Sequence, residues 1–422
     1  MVHGESLKVV GKNSFVWMVG GAQGSGVDSG ANIFARACCY GGLYVFGNRE
    51  YHSNIKGLHS YFQIRVAEQP VYCHRSFVDL LATFDAETLV RHRFEVAKQG
   101  GIIYDPAYEA TKIQDIPTLE REFVDESITR LKERGFGGTV ADMLEDAKRD
   151  GIRTYPVPYM SLINQTAEKL GESKPSKVAK VINVLVLGAS FAILDSDIEL
   201  LTRAIRSVFG AKASIADMNV LASQIAYDYA KKSLASGFGA SLEKVEAKER
   251  RLFLMGNQAV ALGKLAGGCR FQTYYPITPA ADESEYLEAN EKLDLSITRP
   301  EIGEASITKG IGSIVVVQTE DEIAAINMAS GAVLTGTRAS TSTSGPGFSL
   351  MVEGLGWAGM NEVPVVITYY QRGAPATGLP TRHGQDDLRF AIHAAHGEFA
   401  RIVLASGDIQ ECFYDAALAF NY

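Results

Sequence analysis

Near-continuous apolar runs recur along the chain and predict buried strands. They lie at 14–20, 181–188, 313–317 and 363–370. Parallel strands that are covered on both faces have this composition, because neither face meets water. The stretch 59–66 alternates between apolar and polar residues instead, which predicts a half-buried or edge strand. Helical stretches separate the runs. We therefore predict an α/β fold with largely parallel sheets flanked by helices.

A glycine- and serine-rich loop before residue 241 divides the chain into two halves. With 422 residues, the chain can form two or three domains that each bury a core. We expect one α/β domain at 1–240 and a second at 241–422, which begins with a charged helix at 241–253. The polar and charged segment at about 120–175 predicts a helical insertion that covers the first sheet.

The last helix carries its apolar residues on one face and reaches Tyr422 without glycine, proline or a basic cap. A helix that reaches the final residue in this way is expected to continue. We therefore expect the chain to be part of a longer subunit.

Charge and targeting signals favour a cytoplasmic protein. The 41 basic and 49 acidic residues leave a net charge of −8, which argues against broad attraction to nucleic acid or to an anionic membrane. No apolar run approaches the roughly 20 residues that span a bilayer. The first fifteen residues also lack the apolar core of a signal peptide.

The cysteines do not predict a metal centre. None of the five forms a C-x-x-C pair, and the adjacent Cys38 and Cys39 are typical of helix packing. We expect neither structural zinc nor an iron–sulfur cluster held by this chain alone.

Two prolines, Pro276 and Pro279, enclose Thr278 in the stretch FQTYYPITPAADE. Each proline fixes φ and removes a backbone donor, so the stretch is neither strand interior nor helix interior. One interpretation is a turn between a strand and a helix that begins near Pro279. The other is a rigid elbow that holds the hydroxyl group of Thr278 in place.

The N-terminal half contains a glycine-rich loop and a basic loop. Gly24, Gly26 and Gly30 follow an apolar run, but their spacing differs from the dinucleotide fingerprint. The loop is either a tight turn or an anion site. Lys56 lies in a basic stretch at 48–59 that is either a solvated loop or a mobile loop whose lysine reaches an anionic ligand.

Three segments of the C-terminal half suggest ligand binding. A polar loop at 340–356 supplies hydroxyls and glycines where an α/β sheet binds ligands. The loop 371–382 contains Arg372, which can grip a carboxylate through two nitrogens, and Thr381. Glu322 begins a helix, where an acid is also common because of the helix dipole alone.

Four motifs occur in a fixed order along the C-terminal half. They are YPITP (275–279), E-x-A-A-x-N-x-A-x-G-A from Glu322, TSGPGFSL (343–350) and QRGxPxTGLPT (371–381). With GGAQGSGVDSGANIFARA and NREYHSNIKGLHSYFQIRV in the N-terminal half, the chain resembles the large subunit of archaeal two-subunit 2-oxoacid:ferredoxin oxidoreductases. The resemblance implies a γ-type domain followed by an α-type domain that binds the pyrimidine of thiamine diphosphate.

The resemblance also implies roles for single residues in cofactor binding. Glu322 matches the acid that hydrogen-bonds the aminopyrimidine of thiamine diphosphate and assists deprotonation of its thiazolium carbon. Pro276 and Thr278 match positions beside the cofactor, and Ser344 and Gly345 match the wall around its pyrimidine.

Further matches concern the substrate. Thr278, Arg372 and Thr381 match positions that bind the carboxylate of the 2-oxoacid, while Lys56 matches a lysine that meets a second anion, such as a distal carboxylate or coenzyme A.

The family resemblance further implies a partner. No Gly-Asp-Gly magnesium motif occurs in this chain. In the family a β subunit holds the diphosphate, Mg²⁺ and a [4Fe–4S] cluster, so the expected enzyme is a heterodimer. Its expected reaction is the coenzyme A-dependent oxidative decarboxylation of pyruvate or 2-oxoglutarate, which yields acyl-CoA, CO2 and reduced ferredoxin.

Two alternatives remain open at this stage. The same chemistry could act on aryl or branched-chain 2-oxoacids. A different class is a non-catalytic scaffold subunit that holds a nucleotide at Gly20–Gly26.

Overall fold

The structure, a computed structural model, describes residues 11–51, 57–234, 237–247, 249, 251–294 and 311–422. The chain divides into two compact units, Met1–Arg251 and Leu252–Tyr422. Each unit contains a sheet flanked by helices, so the predicted α/β class is confirmed. Among the described residues, no helix combines the length and the apolarity needed to cross a bilayer.

The sheet of the first unit is mixed. Its strands are β1 (Phe15–Ala22), β2 (Tyr44–Tyr51), β3 (His59–Ala67), β4 (Val78–Thr83), β5 (Val96–Tyr104) and β6 (Arg153–Pro156), in the order β2-β3-β1-β4-β5-β6. β3 runs antiparallel to both neighbours, whereas the remaining pairs are parallel. The strand predicted at 59–66 is present. Of the two predicted alternatives, the edge strand is wrong, because β3 lies inside the sheet between β2 and β1.

Helices cover this first sheet. They are α1 (Val27–Tyr40), α2 (Ala86–His92), α3 (Arg121–Glu133), α4 (Val140–Arg149), α5 (Tyr159–Lys169), α6 (Ile182–Ile193), α7 (Ile198–Phe209) and α8 (Ala213–Ser233). The segment 120–175 contains α3, α4 and α5, but it also contains β6. It therefore contributes an edge strand to the sheet in addition to helices.

The apolar run at 181–188 forms a helix, so its prediction as a strand is wrong. α6 packs against α1 and α8, and its residues Asn183–Ala192 are all buried. A helix that is covered on every side is apolar all round, as a buried strand is, and periodicity cannot distinguish them. A side chain at Gly188 would clash with the backbone of Ser223 in α8, so glycine allows the two helices to approach closely.

The charged segment 241–253 is also not helical at its described residues. The backbone N–H of Leu242 donates to Leu194, and that of Val245 donates to Gly41. Lys12 also forms an ion pair with Glu243. These bonds to distant parts of the first unit replace the local hydrogen bonds of a helix.

The second unit contains a four-stranded parallel sheet in the order β10-β7-β11-β12. β8 and β9 form a separate antiparallel pair. The strands are β7 (Phe271–Tyr274), β8 (Lys292–Asp294), β9 (Ile311–Ser313), β10 (Val315–Gln318), β11 (Ala339–Ser344) and β12 (Val366–Tyr370). The helices are α9 (Gly256–Ala266), α10 (Ala281–Ala289), α11 (Glu322–Val333), α12 (Gly345–Met360), α13 (Leu388–His393) and α14 (Ile409–Leu418).

The central strand β11 was expected to be part of a polar loop. Its sequence is ASTSTS, and all six residues are buried. Buried hydroxyl groups are tolerated when they find hydrogen-bond partners. Ser342 Oγ lies 2.9 Å from Ser284 Oγ on α10, and Ser344 Oγ donates to the carbonyl of Tyr370 over 2.8 Å. A core built from such pairs has no apolar pattern, so the sequence does not reveal the strand.

The last helix, α14, packs against α9. A side chain at Gly263 would clash with the backbone carbonyl of Phe413, which shows how closely the two helices approach. The α-helix ends at Leu418 and a 3₁₀ turn follows at Ala419–Asn421, so the prediction of a helix that reaches Tyr422 is wrong.

Candidate active site

The four motifs of the C-terminal half lie at one edge of the parallel sheet. β10 ends at Gln318, four residues before Glu322, and β7 ends at Tyr274, four residues before Thr278. β11 ends at Ser344, which is directly followed by Gly345. β12 ends two residues before Arg372. Parallel strands share the direction of their carboxyl ends, so all four motifs come to the edge where α/β proteins bind ligands.

The elbow after β7 carries Thr278, which is partly exposed. The Thr278–Pro279 peptide bond is cis, and α10 begins two residues later at Ala281. Asn257 Nδ2 donates to the carbonyl of Pro279 over 2.9 Å and ties the elbow to α9. The elbow is therefore a strand-to-helix connection, as the first interpretation predicts, and its backbone is tied to α9.

Arg372 is 5% exposed, and its guanidinium lies against the elbow. Its Nη1 donates to the carbonyl of Thr278 over 2.6 Å, and its Nη2 donates to the carbonyl of Thr377 over 2.8 Å. Burial lowers its pKa, although an arginine stays charged in proteins. Each terminal nitrogen still has a second hydrogen, so these two bonds leave the side chain able to donate to a ligand.

Thr381 lies in a compact loop after β12. Gly373 and Leu379 pair across this loop, and the N–H of Gly373 donates to the carbonyl of Arg382 over 2.9 Å. Gly373 and Arg382 adjoin Arg372 and Thr381 in sequence, so this bond brings the two ends of the loop close together in space. Thr381 itself is partly exposed.

Glu322 is 5% exposed at the first position of α11. The preceding Asp321 caps the helix, accepting the N–H of Ala324 over 2.6 Å, so Glu322 is not used as the cap. Burial, and then the charge of Asp321, raise the pKa of Glu322. A buried carboxyl group with a raised pKa suits proton sharing with a ring nitrogen.

Gly347 creates the space that the Glu322 carboxyl occupies. A methyl group at Gly347 would stand 2.5 Å from Glu322 Oε1 and would clash with Thr343 Oγ1. Only a glycine in the first turn of α12 lets the carboxyl sit here. The prediction of a polar loop at 340–356 did not reveal this role of Gly347, although the G-P-G spacing before an apolar helix is a usable signal.

Ser344 and Gly345 form the junction between β11 and α12. Ser344 is buried, and its hydroxyl is bonded to the backbone of Tyr370. A side chain at Gly345 would lie 3.4 Å from Tyr369 Oη and Asp387 Oδ2. Gly345 therefore faces a polar surrounding at the N-terminus of α12, where the helix dipole is positive.

The remaining predicted site positions are Pro276, Lys56 and the glycine-rich loop. Pro276 is exposed on the elbow. Lys56 lies outside the described residues. In the glycine-rich loop, Gly24 and Gly26 have φ of 92° and 99°, a region that favours glycine, and α1 begins at Val27 without a side-chain cap. The described residues contain no group of three or more acidic, histidine or cysteine side chains that could hold a metal ion.

The arrangement fits the pyrimidine end of thiamine diphosphate. The Glu322 carboxyl is buried, has a raised pKa and lies directly against Gly347, near the hydroxyl of Thr343 on β11. Comparison with known proteins points in the same direction. Residues 16–229 match the family described as pyruvate ferredoxin/flavodoxin oxidoreductase. The chain belongs to this family.

Residues 262–422 match a second description, the thiamine diphosphate-binding domain of pyruvate flavodoxin/ferredoxin oxidoreductase. The chain is 47% identical over 405 residues to 2-oxoacid:ferredoxin oxidoreductase 1, subunit alpha, of Sulfurisphaera tokodaii, covering 96% of this chain and 62% of the relative. It is 42% identical over 169 residues to 2-oxoglutarate synthase subunit KorA of Methanothermobacter thermautotrophicus, covering 40% of each. The chain thus spans less than two thirds of the length of its alpha-subunit relative.

A solved structure supports the same family. The 2-oxoglutarate:ferredoxin oxidoreductase of Magnetococcus marinus, with 2-oxoglutarate, coenzyme A and succinyl-CoA bound, matches 97% of this chain and 61% of its own. The TM-score is 0.75 and the sequence identity is 28%.

Proposed function

We propose that this chain is the α-type subunit of a 2-oxoacid:ferredoxin oxidoreductase that converts a 2-oxoacid and coenzyme A to acyl-CoA and CO2 and reduces ferredoxin. The observation that carries the proposal is the buried Glu322 carboxyl in the space kept open by Gly347, at the sheet edge that also bears Thr278 and Arg372. The printed names of the relatives support the reaction class.

In this proposal the Glu322 carboxyl would hydrogen-bond the pyrimidine of the bound cofactor. Its raised pKa keeps the carboxyl protonated over a wider pH range, so it can share that proton with a ring nitrogen. When bound, thiamine diphosphate supplies an electron sink for the electrons released by loss of CO2. Ser344 and Gly345 would line the pyrimidine end.

Arg372 and Thr278 would bind and orient the 2-oxoacid. The two bonds from Arg372 to backbone carbonyls fix the guanidinium plane, and the remaining N–H groups would meet the substrate carboxylate. The Thr278 hydroxyl on the rigid elbow and the Thr381 hydroxyl would complete this contact. A fixed set of donors contributes to rate by holding the substrate in one orientation.

A β subunit completes the proposed enzyme. It would hold the diphosphate with Mg²⁺ and a [4Fe–4S] cluster that passes electrons to ferredoxin, in a cytoplasmic complex. Lys56 would meet a second anion of the substrate or of coenzyme A. Since two relatives are named for 2-oxoglutarate, that acid is the first substrate to test, followed by pyruvate.

The test is to express this chain with its β subunit, purify the complex without oxygen, and follow viologen reduction with 2-oxoglutarate or pyruvate, with and without coenzyme A. We expect reduction only when a 2-oxoacid and coenzyme A are both present. If a complex that contains thiamine diphosphate and a cluster reduces no viologen, the substrate is another class, such as aryl or branched-chain 2-oxoacids. A complex that purifies with neither group would overturn the proposal.

A further inference from the structure

A buried ion pair joins α9 and α10 inside the second unit, between two residues that have no assigned role. Lys264 on α9 and Glu283 on α10 are both 0% exposed, and Lys264 Nζ is paired with Glu283 Oε1. Lys264 Nζ also donates to Gln272 Oε1 on β7 over 3.1 Å. Removing both charges from water costs free energy, so such a pair is weak support for stability and is better explained by a need for one defined geometry.

Tyr370 connects this ion pair to the strand that precedes Arg372. Its hydroxyl donates to Glu283 Oε2 over 2.9 Å. Burial, and then the charge of Glu283, raise the pKa of Tyr370 well above its ordinary value, so the hydroxyl remains a neutral donor. The Tyr370 carbonyl in turn accepts from Ser344 Oγ over 2.8 Å, which fixes the same residue to β11.

The Tyr370–Glu283 bond joins the same two segments as the Arg372–Thr278 bond. Thr278 and Glu283 are five residues apart on the elbow and α10, while Tyr370 and Arg372 are two residues apart at the end of β12. The two hydrogen bonds therefore close a ring through the elbow, α10 and the end of β12. A shift of α10 relative to β12 would change both bonds together.

We propose that Tyr370 is a positioning residue for the 2-oxoacid. Its hydroxyl, held by the carboxylate of Glu283, sets the position of Arg372 relative to Thr278 before the substrate binds. This inference rests on the proposed function of those two residues. Tyr370 acts through them and does not itself contact the substrate.

A second tyrosine, which also bonds a glutamate of α10, provides a matched control. Tyr274, the last residue of β7, donates its hydroxyl to Glu288 Oε2 over 3.2 Å, near the C-terminal end of α10. Both tyrosines are strand-terminal and bonded to a glutamate of α10, although Tyr274 is buried and Tyr370 is partly exposed. The Tyr274–Glu288 bond is farther along α10 from the elbow and does not bridge to β12.

The experiment compares Tyr370→Phe and Tyr274→Phe in the assembled complex with the β subunit. We expect Tyr370→Phe to lower kcat/KM for the 2-oxoacid about 10- to 100-fold, because small misplacement of substrate-binding groups has effects of this size. The KM for coenzyme A should stay within about threefold of the wild type, and Tyr274→Phe should change kcat/KM by less than about threefold. The thermal midpoint of each complex is measured alongside.

A purely structural role predicts a different result. Both variants would then lower the thermal midpoint without a selective effect on the 2-oxoacid, and this outcome would overturn the inference. Equal losses of kcat/KM in the two variants would overturn it as well.

A second variant covers the case in which Tyr370→Phe does not assemble. The double substitution Lys264→Met with Glu283→Gln replaces the ion pair by neutral side chains of similar volume, and the amide oxygen still accepts from Tyr370 through a weaker bond. We expect kcat/KM to fall about two- to fivefold, because a neutral hydrogen bond is roughly half as strong as one to a carboxylate. Wild-type kcat/KM in this variant would contradict the positioning role.

The two proposals fail in different ways. If the wild-type complex turns over no 2-oxoacid, the proposed function is wrong. If the wild type is active and Tyr370→Phe is equally active, the proposed function stands and only the positioning role is wrong.

Discussion

Arg372 Nη1 donates to the backbone carbonyl of Thr278 over 2.6 Å, although the two residues are 94 positions apart in the chain. One follows β12 and the other follows β7, and β11 lies between these strands. The bond spans the central strand and joins two of the loops at the carboxyl edge. Arg372 also donates to the carbonyl of Thr377, so its guanidinium holds backbone groups of the loops. We therefore expect substitutions of Arg372 to affect both the loop geometry and ligand binding.

Replacing Arg372 by Lys should therefore lower kcat/KM for the 2-oxoacid about 10- to 100-fold, because a single ammonium group cannot reach both carbonyls and also form a bidentate contact. Most of this loss in kcat/KM should come from a higher KM for the 2-oxoacid. Steady-state viologen reduction by the complex measures both constants. Arg389→Lys on the exposed face of α13 is the control and should be neutral. A similar loss in both variants would contradict the assignment of Arg372.

Glu322→Gln should reduce kcat at least about 100-fold, since an amide cannot share a proton with the cofactor as a carboxyl does. The complex should still assemble, because the substitution keeps the size of the side chain and Asp321 still caps α11. Size-exclusion chromatography and turnover are measured on the same preparation. Glu353→Gln, an exposed change on α12, serves as the control. Unchanged turnover in an assembled Glu322→Gln complex would refute the role.

Gly347→Ala should displace the Glu322 carboxyl. The new methyl group would stand 2.5 Å from Glu322 Oε1, closer than two such atoms can approach without contact strain, and would also clash with Thr343 Oγ1. We expect kcat to fall at least about tenfold, as for other displaced proton-transfer groups, together with weaker retention of thiamine diphosphate. Cofactor content after gel filtration and turnover measure the two effects.

The control for this change is Gly356→Ala on the same helix, where the added methyl group would lie at an ordinary 3.7 Å from Ala395 Cβ. Alanine is a better helix former than glycine by about 1 kcal/mol, so this variant should be at least as stable as the wild type. A Gly347→Ala complex with wild-type turnover would show that Glu322 does not need this space.

Asp79 in the first unit should make the stability of the protein depend on pH. It is buried, accepts the N–H of Val16 over 2.7 Å, and burial raises its pKa to about 6. A raised folded-state pKa gives a stability contribution that is present below the unfolded pKa of about 3.8 and is lost as pH rises through about 6. The stability of Asp79→Asn relative to the wild type should therefore increase by about 2 kcal/mol from pH 4.5 to pH 8.

Urea unfolding at pH 4.5 and pH 8 measures this difference for the wild type and the variant. Asp125→Asn on the exposed face of α3 is the matched control and should show no pH-dependent gain. If the difference between Asp79→Asn and the wild type is the same at both pH values, Asp79 does not titrate in this range.

Part of the candidate site could be predicted because its motifs are local. Pro276 and Pro279 restrict the backbone around Thr278 wherever the rest of the chain lies, and the structure shows the expected strand-to-helix connection there. The position of Glu322 at the start of a helix is also a local property. The space that Gly347 leaves for the Glu322 carboxyl could not be predicted in this way, because it depends on how α12 packs against α11.

Local patterns were enough to predict the α/β class, the strands near 14–20 and 363–370, and the order of the four motifs, since hydrophobic runs and proline constraints act over a few residues. Three features depended instead on contacts between distant segments: the helix at 182–193, the buried strand Ala339–Ser344, and the bond between Arg372 and Thr278. An apolar run indicates that the segment is buried, but not which elements cover it. A run of serines and threonines indicates a capacity for hydrogen bonds, but not which groups accept or donate them. Both are settled only when distant segments pack together.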